Sequence, residues 1–193
     1  PDLAGSAAAM GALASMELHS GDSASLVRSA ERLGYSISAI GGGVADAGAA
    51  LVLLEKKSGE RLVLDSMGNG GVVVHALEGG HVHELVRQRS LEQVQEHFAA
   101  QGMGVESRTT ASGEVELVAS ERGPAKPDGS AQVTAEVQTD GTVIVDVDRI
   151  LGPRCSKIVN GVAQAVGGQV VAAREKAAFY ALPRVQAKAR VTA

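Results

Sequence analysis

The first regular pattern in the chain falls at residues 23–33, SASLVRSAERL. Leu26, Val27, Ala30 and Leu33 recur at the spacing that lines one face of a helix. Ser23 offers an N-cap and Gly34 a stop. The period then changes to two in YSISAI, residues 35–40, as in a half-buried strand. GGGVADAG interrupts it as a connection. AALVLLEKKSGERLVLDS, residues 49–66, holds two apolar runs about Lys57-Ser58-Gly59-Glu60 and predicts a hairpin. VVVHAL, residues 72–77, predicts a further strand.

The longest helical pattern covers roughly 82–101. Leu91, Val94 and Phe98 stand on one face, Glu92, Gln95 and Glu96 on the other, and Gly102 ends the run. GVESRTTASGEVELVASE follows as a second hairpin about Ser112-Gly113. AERLGYSIS and HFAAQGMGVES echo each other, each reading helix, glycine stop and strand, then a turn and a second strand. The echo suggests an α-β-β duplication without a strict period.

RGPAKPDGSA has the prolines, glycines and mixed charge of a linker, placed at 122–131. QVTAEVQTDGTVIVDVDRI predicts two strands about Asp140-Gly141, a dipeptide suited to a tight primed turn. LGPRCSKIVNGVAQAVGG predicts a helix with Pro153 in its first turn and Gly167-Gly168 as its stop. QVVAAR returns as a strand, which completes a β-β-α-β unit. From Arg174 onward the chain is basic, with five Lys or Arg against one Glu.

These elements describe an α+β fold, mostly antiparallel sheet with about three helices, in two small packed units. The expected organisation is a flexible leader or processed targeting remnant at 1–15, an α+β domain at 16–121 and the linker at 122–131. A β-β-α-β domain at 132–174 and a basic tail at 175–193 complete it. With 45% apolar but only 2% aromatic residues and no Trp, Ala, Val and Leu must build a thin core. The net charge of −4 argues against nucleic acid as a partner. No apolar run approaches the ~18–20 residues of a membrane span, so any membrane association is expected to be peripheral. A single cysteine forms no internal disulfide and fits a reducing compartment.

Cys155 carries the sharpest chemical question. A helix start offers unpaired N–H groups that favour a thiolate, and Arg154 and Lys157 add to that. Nucleophilic catalysis also needs a placed base, and residues 132–174 contain no histidine. Packing beneath the helix start is the simpler expectation. His81 and His83 are the only candidates for a metal site; they lack a second ligand pair, and no metal or other cofactor is expected. GGG at 41–43 and GNGG at 68–71 lack the flanking residues of a phosphate loop. Asp146 and Asp148 alternate on one strand face and are expected to solvate a hairpin edge. Arg174, Lys176, Phe179, Tyr180, Arg184, Lys188 and Arg190 are the candidate partner-binding residues: an arm that orders on an acidic surface, or a solubilising tail.

LVRSAERLGYSI and LVRQRSLEQVQEHFAAQGMGVESRTTASGEVELVASER carry a resemblance over residues 16–121. This region resembles the hypothetical chloroplast reading frame thirty-five family, a domain of unknown function from cyanobacteria, other bacteria and red-lineage plastids. Many of its members have aromatic residues before and within the long helix; GGHVHELVRQRS has none. Residues 131–182 resemble a second family, domain of unknown function twenty-nine ninety-seven. TDGTVIVDVDRILGPRCSKIVNGVAQAVGG and FYALP carry that likeness. The two resemblances imply a fusion of two small neighbouring genes and a photosynthetic setting, a plastid stroma or a bacterial cytoplasm. They imply no catalytic mechanism.

The expected function is therefore a non-catalytic accessory or assembly protein that docks onto a larger protein complex, as a peripheral subunit or assembly factor. The alternative is a thiol-dependent redox module or enzyme using Cys155.

Overall fold

The structure is a computed structural model that describes residues 14–18, 23–42, 50–67, 70–77, 79–121, 131–148, 150, 153–175 and 186–192. It is α+β, with antiparallel sheets and three helices among the described residues. The chain forms two compact units that divide between Arg89 and Ser90.

The first unit begins with β1 (Ala14–Leu18) and α1 (Ser23–Arg32). β2 (Tyr35–Gly42), β3 (Ala50–Lys56), β4 (Arg61–Ser66) and β5 (Val72–Leu77) then form a meander. The sheet order is β1-β5-β4-β3-β2. Leu54, Leu62, Leu64, Val72 and Val74 supply the buried sheet face. Leu26 and Ala30 of α1 lie in the same core, as their spacing requires, with Val27 and Leu33 partly buried beside them. Val82, Leu85 and Val86 complete it from the first half of α2 (Val82–Ala100).

The second unit takes the other half of α2. β6 (Met103–Thr109), β7 (Val115–Glu121), β8 (Gln132–Val137) and β9 (Val143–Asp148) form another meander. α3 (Pro153–Ala165), β10 (Gln169–Glu175) and β11 (Gln186–Thr192) follow. The sheet order is β10-β11-β9-β8-β7-β6. Alternation is strict in β8 and β9: Val133, Ala135 and Val137, then Val143, Val145 and Val147, all face the core. Val94 and Phe98 of α2 and Ile158, Val159 and Val162 of α3 lie in that core. Ser90 Oγ donates to the carbonyl of Gly141 at 3.2 Å and ties α2 to the β8–β9 turn.

Five expectations need correction. The unit division falls inside α2, because that helix gives one half of its apolar residues to each core; most of the expected linker, 122–130, lies outside the described residues. The supposed leader ends in β1, whose backbone pairs with β5 from Ala14↔Ala76 to Leu18↔Val72. The supposed tail contains β11, which lies inside the second sheet between β9 and β10. Glu92, expected on the polar face of α2, is buried. The Asp140-Gly141 turn has a three-residue loop, closed by Gly141 N–H to Gln138 C=O at 3.0 Å and Gln138 N–H to Thr142 C=O at 2.9 Å. That pair of bonds belongs to a type I turn followed by a bulge glycine, which needs positive φ only at Gly141, here 83°. Asp140 Oδ1 accepts from Thr142 N–H at 2.9 Å and fixes the turn further.

Candidate functional site

Cys155 sits in the first turn of α3, and its side chain is 0% exposed. It belongs to the second core, with Ile158, Val159 and Val162 among its members. The helix start that could activate a thiolate also carries the thiol inward, away from any substrate in solution. The thiol-dependent alternative therefore lacks its accessible nucleophile in this conformation.

The histidines are dispersed. His83 stands in the first turn of α2 and His81 just before it, both exposed. Among the described residues, no group of three or more His, Cys, Asp or Glu is placed to hold a metal ion. His75 is buried on β5, and burial depresses its pKa against the smaller opposing pull of Asp65. Its Nδ1 has no hydrogen-bond partner. Burial also lowers the pKa of His97, whose Nε2 lies 3.0 Å from Gln101 Nε2.

The first unit holds a polar cluster that the sequence pattern did not single out. Lys56 Nζ lies 4.5 Å from the centre of the Tyr35 ring, 3.0 Å from Glu60 Oε2 and 3.7 Å from Glu84 Oε2. Tyr35 donates its hydroxyl to Glu60 Oε2 at 3.3 Å, and Ser58 donates to Glu60 Oε1 at 3.1 Å. A three-residue loop, 57–59, closed by Gly59 N–H to Lys56 C=O and Lys56 N–H to Glu60 C=O, both at 2.9 Å, brings Lys56 and Glu60 together across the β3–β4 turn, and Glu84 comes from the first turn of α2. Burial pulls the Lys56 ammonium down, but the hydrogen bond to Glu60 and the charges around it outweigh burial, and its pKa is raised. Burial raises the Tyr35 phenol despite the opposing Lys56 charge. The Lys56 hydrogen bond holds the Glu60 carboxyl below its usual range. A lysine nucleophile or tyrosine base needs the opposite shifts. The cluster joins β2, the β3–β4 turn and α2; it does not prepare a reagent.

The expected partner-binding residues divide into two sets. Lys176, Phe179, Tyr180 and Arg184 lie outside the described residues. Arg174, Lys188 and Arg190 fall on β10 and β11, where the backbone register pairs Arg174 with Lys188 and Ala172 with Arg190. Lys188 also pairs with Asp146 of β9, so Asp146 and Asp148 are on an interior strand rather than an edge. On the side of β7 and β8 away from the core, Glu116 pairs with Glu136 and accepts from Arg108 Nε, at 2.6 Å, which lowers the Glu116 pKa.

No helix among the described residues is long and apolar enough to cross a membrane. No family model matches the chain, and no curated protein or solved structure does either.

Proposed function

We propose that this protein is a non-catalytic accessory or assembly factor that docks onto a larger protein complex. The observation that supports the reading is the backbone register of β10 and β11, which pairs Arg174 with Lys188, two residues before Arg190, at one end of the second sheet. A partner that presents carboxylates would be steered and oriented by that charge. Lys176, Phe179, Tyr180 and Arg184, which lie between these two strands in the sequence, are proposed to bind the same partner. The two family resemblances add the setting: a peripheral subunit or assembly factor in a photosynthetic cell, in a plastid stroma or a bacterial cytoplasm.

The test is gentle native purification from the source organism, with co-migrating proteins identified by mass spectrometry. Migration with a large assembly is expected. Binding should weaken with added salt, which screens charge attraction, and on replacing Arg174 and Lys188 by Glu, which reverses it. Migration of the wild-type chain alone, near 19.6 kDa, would overturn the reading.

A further inference from the structure

We draw no further inference here: the strongest candidate, the uncharged edge of the first sheet along β2 with Ile37 and Ile40 exposed, carries nothing, because nothing in the structure shows what covers it.

Discussion

Thiol labelling of Cys155 separates a binding protein from a thiol enzyme. The side chain is 0% exposed and packs within the second core. A reagent can reach it only when the second unit opens. Opening free energies run from near zero at fraying ends to the global stability, about 5–15 kcal/mol for a domain. A residue inside a valine-rich core belongs to the upper part of that range. If opening costs about 4 kcal/mol, roughly one molecule in 10³ is open at any moment, because each 1.4 kcal/mol is a factor of ten. Ellman's reagent should therefore react about 10³-fold more slowly with the native protein than with the chain in guanidinium at the same pH. Cys155→Ala should lower stability by about 1–2 kcal/mol, as loss of one small buried group does. A native labelling rate within about tenfold of the denatured rate would refute the burial argument and favour the thiol-dependent alternative.

Two glycines should respond in opposite ways to alanine. A Cβ on Gly80 would strike the carbonyl oxygen of Arg61 and meet Leu62 Cδ2 at 2.8 Å, so Gly80→Ala should cost several kcal/mol in urea unfolding. A Cβ on Gly161 would meet only the His97 ring, at 2.8 Å; that ring can turn, and the helix gains about 1 kcal/mol from alanine, so Gly161→Ala should lie within about 1 kcal/mol of wild type. Phe98→Ala should cost about 3–5 kcal/mol, since Phe98 is fully buried in a core otherwise built from smaller side chains. The lowered pKa of His75 means that the unfolded chain binds its proton more readily than the native one. That contribution is intact above the unfolded value near 6.5 and is lost as pH falls below it toward the lower native value. Thermal scans from pH 7.5 to 5 should show a falling midpoint, with a shallower slope in His75→Gln.

Elements with strong local periodicity were legible in the sequence; elements held only by distant partners were not. The spacing of Leu26 and Ala30 in α1, and of Val94 and Phe98 in α2, matches the buried face of each helix. Strict alternation in β8 and β9 likewise marks the core side. β1 reads ASMEL, which does not announce a strand, and β11 reads QAKARVT, whose polar–apolar alternation is a strand signal carried by weak strand formers, Ala and Lys. β5 and β9 supply the hydrogen-bonding edges on which they form, a tertiary cause. The basic residues of the C-terminal region were visible by composition, but only register shows that Lys188 stands opposite Asp146 in the same sheet. The Tyr35, Lys56, Glu60 and Glu84 cluster draws on residues far apart in the chain. Only the Lys56–Glu60 contact could have been read, by assigning the loop between them its three-residue form.

The short echo in the sequence extends to a shared plan. Gly34 and Gly102 both end helices with positive φ, 86° and 75°. Eight residues before them stand Leu26 and Val94, four before them Ala30 and Phe98, and just after them Tyr35 and Met103, all buried. The bulk that Phe98 supplies in the second unit is supplied one position beyond the glycine, by Tyr35, in the first. Each unit then runs through a four-stranded meander into another helix, and each adds an antiparallel strand beside the fourth: β1 on β5, β11 on β9. The fourth strands carry Val72 and Val74, or Val143, Val145 and Val147, into their cores, and an uncovered edge there would invite foreign pairing. The first strand of each meander, β2 or β6, is left as the opposite edge. β6 guards that edge with Glu106 and Arg108, and Arg108 is held by Glu116. β2, at the corresponding place, has no such guard and exposes Ile37 and Ile40 instead. The same architecture thus tolerates charge on this strand, so the bare edge of β2 is not imposed by the fold.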